Sequence, residues 1–245
     1  MFLILFILSI IPLHASFIPT HKALEPFYEE KEVILIASMG RSASTMLKDI
    51  IIEANPSKIV LKTHVLPPKP EFKGKILFIF SNPDKAAESA LHMMLKDELF
   101  GKLHFIHVES SNMTWFDEIN DTRLQTLEHN LLAHDALGIT KQLRCWLLDT
   151  TVCPIEDAQI LAVKYEDLWK QRTIKAIELF LEIDHLEFPT YVPRGYTTQE
   201  LYENELEYRN HYNLGSWEEP VYSAYDEARK IWEQALPFRF MKIGD

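Results

Sequence analysis

The sequence predicts an α/β fold, a three-layer sandwich with a central parallel sheet, and three observations carry that expectation. Four short runs, residues 33–36 (VILI), 58–61 (KIVL), 75–80 (KILFIF) and 160–163 (ILAV), are almost continuously apolar and rich in branched side chains. Strands that read this way are buried on both faces, as in parallel sheets, whereas a half-exposed strand alternates. Helical patterns separate the runs, as crossover connections require. Polar groups follow directly after the runs, at the carboxyl edge where open α/β sheets take their ligands. With 245 residues and 47% apolar composition, one domain has ample core.

The first strand runs into Met39-Gly40-Arg41-Ser42-Ala43-Ser44-Thr45, and from Ser44 the pattern becomes an amphipathic helix with Met46, Leu47 and Ile50 on one side. The turn therefore sits at a helix N-terminus, where unpaired N–H groups and the positive end of the helix dipole converge. Ser42, Ser44 and Thr45 add hydroxyl donors and Arg41 adds a fixed charge, so the ligand to expect is an anion. The turn is not GxxxxGK[ST], because it lacks the second glycine and the lysine, and this disfavours a nucleoside triphosphate kinase. The helix ends before Pro56, and the second strand terminates in Lys62-Thr63-His64. A Pro-rich loop at 66–70 leads to the third strand, which ends at Ser81-Asn82-Pro83.

From Asp84 the chain is strongly helical, with Ser81 or Asn82 as its cap and Asp84 and Glu88 near the positive end. Helical pattern returns at 122–137 and at 142–148. The fourth strand ends in Tyr165-Glu166-Asp167-Leu168, followed by a helix at 173–181, and residues 225–236 form the clearest helix of a less regular last third. Glu166 and Asp167 suit a structural role at a strand end better than acid-base work.

The formal net charge of -11, with no Lys/Arg-rich stretch, argues against a nucleic-acid binder and requires a local cluster to hold any anion. No His or Cys spacing suggests a metal site. Residues 2–13 are apolar apart from Ser9 and Pro12, and Ala15 and Ser16 follow. That pattern predicts a signal peptide at 1–16, cleaved after Ala15 or Ser16, leaving 17–245 as a single domain in the secretory pathway. An uncleaved anchor is the alternative, and only then would a membrane be a partner. Asn112-Met113-Thr114 and Asn120-Asp121-Thr122 are glycosylation sequons suited to the same route. Cys145 and Cys153, the only cysteines, either close a small loop in an oxidising compartment or remain two buried thiols.

Taken in order, these segments resemble the sulfotransferases that use 3′-phosphoadenosine 5′-phosphosulfate (PAPS). Arg41-Ser42-Ala43-Ser44-Thr45 is similar to that family's 5′-phosphosulfate loop, and the arginine resembles its carbohydrate branch. Lys62-Thr63-His64 is similar to the Lys-Thr-His whose histidine is the catalytic base. Ser81-Asn82-Pro83 through Ser89 resembles the Arg-Asn-Pro segment and distal serine that grip the 3′-phosphate, with Ser81 in place of the arginine. Tyr165-Glu166-Asp167 and Leu214-Gly215-Ser216-Trp217 resemble two later segments, so the likeness runs from about Glu32 to Leu236.

The resemblance implies a P-loop-like sulfotransferase fold and transfer of a sulfuryl group from PAPS to a hydroxyl of a glycan or small-molecule acceptor, with no metal. Arg41 would neutralise the leaving phosphate, while Ser42, Ala43, Ser44 and Thr45 cradle the phosphosulfate. His64 would take the acceptor proton, Lys62 would contact the sulfate, and Ser81 and Ser89 would lie at the 3′-phosphate. Two departures matter: Ala43 replaces a glycine, and Ser81 replaces an arginine whose charge-assisted contact is worth about 1.5 to 3 kcal/mol. Lys85, Arg194 and Arg209 are the candidates to replace it. The alternative is a catalytically inactive relative that binds a nucleotide or glycan. Acceptor contacts would fall on the loops at 96–115 and 188–212, and Trp217 suits packing.

Overall fold

The computed structural model describes residues 16–40, 42–96, 134, 135, 137–190 and 222–243. Among them the chain forms an α/β structure on a mixed seven-stranded sheet of order β1-β3-β2-β4-β6-β7-β5. The strands are β1 (Ser16–Ile18), β2 (Val33–Ser38), β3 (Ile59–Thr63), β4 (Lys75–Phe80), β5 (Thr151–Val152), β6 (Ile160–Lys164) and β7 (Phe238–Lys242). The helices that bear on the argument are α1 (His21–Leu24), α2 (Ser44–Ala54), α3 (Pro83–Lys96), α4 (Ile139–Leu147), α5 (Gln171–Leu181) and α6 (Asp226–Gln234).

All six residues of β2 are buried, and they alternate between two cores. Val33, Leu35 and Ala37 join Ile76, Phe78, Ile160 and Ala162 under α3, α4 and α6. Ile34 and Ile36 join Leu77, Ile79, Leu161 and Val163 under α2 and α5. Helices thus cover both faces, an arrangement compatible with a three-layer sandwich, and the continuous apolar reading of these strands follows from having no solvent-facing side. Trp146 of α4 lies flat on Phe78, with ring centroids 4.7 Å apart and an interplanar angle of 11°.

The four expected strands are present and mutually parallel, through β3–β2, β2–β4 and β4–β6. The sheet is nevertheless mixed, not wholly parallel, because β7 runs antiparallel to β6 and β5 antiparallel to β7. β7, Phe-Arg-Phe-Met-Lys, carries Arg239 between its apolar residues and follows a proline, so it lacks the unbroken apolar signature. β1 adds a parallel edge strand beside β3, directly after the apolar N-terminal run, and residues 1–15 lie outside the described residues. No helix among the described residues is long and apolar enough to cross a membrane.

The expected helix at 122–137 falls mostly outside the described residues, and His134 and Asp135 are not helical. Asp135 instead caps α4: its carboxylate accepts the amides of Ile139 at 2.7 Å and Thr140 at 2.9 Å. That explains why α4 starts at Ile139, three residues earlier than its apolar pattern suggests. Cys145 and Cys153 are half-buried free thiols, and burial pushes both pKa values up. The two sequons lie outside the described residues.

Candidate functional site

β2 lies between β3 and β4, so the chain leaves its carboxyl end, passes through α2 to one side and returns on the other. Strand order reverses about β2, and crevices in open α/β sheets form at such points. The register brings the ends level: Ala37 stands opposite Thr63 on β3 and opposite Phe78 on β4. The turn after β2, His64 after β3 and Ser81 after β4 therefore converge at one edge.

The turn is shaped by two left-handed residues. Gly40 has φ 88° and Ala43 has φ 58°. Ala43 closes onto α2, whose first N–H groups receive no side-chain cap from it. An uncapped helix N-terminus presents free donors together with the positive end of its dipole. Ser42 is buried, and its hydroxyl donates to the Gly40 carbonyl at 2.9 Å. Ser44 is buried and begins α2, while Thr45 in the next position is exposed.

Lys62 and His64 reach this turn from β3. The Lys62 ammonium donates to Thr45 Oγ1 at 2.7 Å, which sets a positive charge at the first turn of α2. His64 is buried, and its Nδ1 lies 2.8 Å from the Ser38 carbonyl oxygen and 3.0 Å from Ser38 Oγ. A carbonyl oxygen only accepts, so Nδ1 carries the proton and, in the neutral imidazole, Nε2 carries the lone pair. Thr63, between them, points the other way and donates to the Ile18 carbonyl at 2.8 Å, tying β1 to the same edge. Phe17 of β1 lies beside this pair, its ring 5.4 Å from that of His64 and 5.8 Å from Lys62 Nζ.

No protein-family model matches the chain, and no curated protein matches it.

Of the residues expected at the site, Ser42, Ala43, Ser44, Thr45, Lys62, His64 and Ser81 come together at this edge. Arg41 lies outside the described residues, as do Arg194, Arg209, Gly215, Trp217 and most of both acceptor loops. Ser81 is buried, with its hydroxyl 3.1 Å from that of Ser42, so it braces the turn from β4. Asn82 is the cap of α3, its Oδ1 accepting the Lys85 amide at 3.0 Å. Lys85 and Ser89 follow four residues apart on α3 and so share one face of it.

The remaining polar groups around α3 hold it in place. Glu166 accepts the Asn82 amide at 2.8 Å and the Trp232 indole N–H at 3.3 Å, joining the end of β6 to α3 and α6. Asp84 is fully buried and takes a bidentate pair of hydrogen bonds from Arg229, at 2.8 and 2.9 Å, with the Tyr222 amide at 2.7 Å. Hydrogen bonds to Asp84 and Asp226 raise the pKa of Arg229 further above its ordinary value. The Tyr222 hydroxyl donates to Glu88.

Sequence reasoning missed Ser38 and Phe17. Ser38 ends a buried apolar strand, and a lone hydroxyl in that position was the available signal. Phe17 gave none, since the apolar run before it conceals the strand.

Proposed function

We propose that this protein is a PAPS-dependent sulfotransferase, with a P-loop-like sulfotransferase fold, acting in the secretory pathway on a hydroxyl of a glycan or small molecule. The observation that carries the reading is the closure of two motifs on each other. Lys62 meets Thr45 at 2.7 Å while His64, two residues on, is held against Ser38 at the other end of the same turn. A base and a cation thus stand over the N-terminus of α2, whose N-cap residue Ala43 supplies no side-chain cap.

Transfer at such a site is an in-line displacement at sulfur. The acceptor hydroxyl gives its proton to His64 Nε2 as its oxygen bonds to sulfur. The bond between sulfur and the 5′-phosphate oxygen breaks, and its electron pair leaves with 3′-phosphoadenosine 5′-phosphate. The α2 amides, Ser44 and Thr45 stabilise the phosphosulfate while Ser42 braces the turn beneath them, Lys62 faces the sulfate oxygens, and Arg41 neutralises the leaving phosphate. Ser89, with Lys85 on the same face of α3, supplies the 3′-phosphate contacts.

Calorimetric titration with 3′-phosphoadenosine 5′-phosphate tests donor binding. Binding is expected, and Arg41→Ala should weaken it by about one to two decades, the worth of a charged hydrogen bond. No heat at millimolar nucleotide would remove the reading. A second reading, a non-catalytic nucleotide- or glycan-binding relative, is favoured by Ser81, which turns to Ser42 where the resemblance has an arginine. Nucleotide binding without sulfuryl transfer to any hydroxyl acceptor would select it.

A further inference from the structure

We propose that Ser38 is the positioning residue for His64 and couples it to the anion-binding turn; this rests on the proposed function for its catalytic meaning but not for its geometry. Ser38 is 1% exposed and ends β2, beside the β3 terminus that carries His64. Its carbonyl oxygen lies 2.8 Å and its hydroxyl 3.0 Å from His64 Nδ1, so one residue meets the same ring nitrogen twice. The carbonyl requires the proton on Nδ1, and the hydroxyl closes the second side of that contact, which restrains rotation of the ring.

The consequence for chemistry is a choice of tautomer. Held as Nδ1–H, the neutral ring offers Nε2 as proton acceptor, whereas the opposite tautomer would offer a donor and could not take a hydroxyl proton. The same hydroxyl accepts the Gly40 amide at 3.4 Å, and the Gly40 carbonyl accepts from Ser42, whose hydroxyl lies 3.1 Å from that of Ser81. A buried chain therefore runs from the base, through Ser38 and the glycine of the turn, to the end of β4. An anion seated on the turn and the orientation of His64 are linked through Ser38, although Ser38 itself belongs to no recognisable motif.

The test reads the imidazole in protein labelled with ¹⁵N-histidine, by long-range proton–nitrogen correlation at mildly alkaline pH. Neutral His64 is expected as the Nδ1–H tautomer, with its Nδ1 proton slow to exchange. A predominant Nε2–H tautomer would overturn the proposal, and because no donor is present the result is independent of whether sulfuryl transfer occurs. In Ser38→Ala, a change of one buried atom, the Nδ1 proton should exchange about fivefold to tenfold faster, as expected for loss of one neutral hydrogen bond. Turnover should fall by a similar factor, and Ser38→Thr should restore both. Wild-type exchange and kcat in Ser38→Ala would also overturn it, while turnover absent from the wild type with the expected tautomer would leave Ser38's role intact and count against the enzyme.

Discussion

The hydroxyls of Ser42 and Ser81 lie 3.1 Å apart and join the turn after β2 to the end of β4. Both side chains are buried, so the contact is part of the support beneath the turn after β2 and not of its solvent-facing surface. Position 81 thus does different work here from the arginine that the resemblance places there.

Restoring that arginine should not restore a 3′-phosphate grip. Ser81→Arg puts a long charged side chain into a space only 1% exposed, where overpacking alone costs about 1 to 3 kcal/mol and the unpaired charge adds to it. A lower thermal midpoint with no gain in affinity for 3′-phosphoadenosine 5′-phosphate is expected. Tighter nucleotide binding at undiminished stability would show that position 81 faces the ligand.

Ala43, at φ 58°, occupies a conformation that costs a residue with a Cβ about 1 to 2 kcal/mol. Ala43→Gly should therefore stabilise the protein, with the strain relief partly offset by glycine's greater freedom in the unfolded chain. A net gain of about 0.5 to 1 kcal/mol in urea denaturation is the expected outcome. A loss would place the true backbone of the turn in the right-handed region.

Much of the fold and part of the site are legible in the sequence, and the division has a physical basis. β2, β4 and β6 are read easily because burial on both faces confines polar residues to their ends, at Ser38, Lys75 and Lys164. β7 is not, because Arg239 interrupts the apolar pattern of a strand near the sheet margin. Lys62 and His64 are legible because strand ends at the ligand edge follow from fold class alone. Ser38, Phe17 and the inward turn of Ser81 depend on which strands become neighbours, and neighbour choice is a tertiary outcome that no local pattern encodes.

The Asp84–Arg229 pair should be the costliest to break. Asp84 is fully buried and takes two hydrogen bonds from one guanidinium, so Arg229→Met leaves a carboxylate without its compensating charge. A loss of about 3 to 5 kcal/mol is expected, and the double variant with Asp84→Asn should recover part of it. Additive losses in that double-mutant cycle would contradict the coupling.

Glu178 makes stability depend on acid pH. Burial alone would push its carboxyl up, but the Lys175 ammonium at 2.6 Å, the Leu186 amide at 3.0 Å and His185 at 3.5 Å outweigh it and hold the pKa below its ordinary 4.5. A depressed folded pKa contributes stability that is present above 4.5 and is lost as pH falls through the folded value. Glu178→Gln should thus unfold at lower temperature than the wild type at neutral pH, with the two midpoints converging as pH drops below that range. A constant gap across acid pH would mean that the carboxylate charge contributes nothing.

Protein incubated with radiolabelled PAPS and a panel of glycan and phenolic hydroxyl acceptors should transfer label, and His64→Ala should lower the rate by about two to four decades, the usual worth of a positioned general base. Transfer undiminished in His64→Ala, or no transfer to any acceptor with no nucleotide binding, would contradict the account.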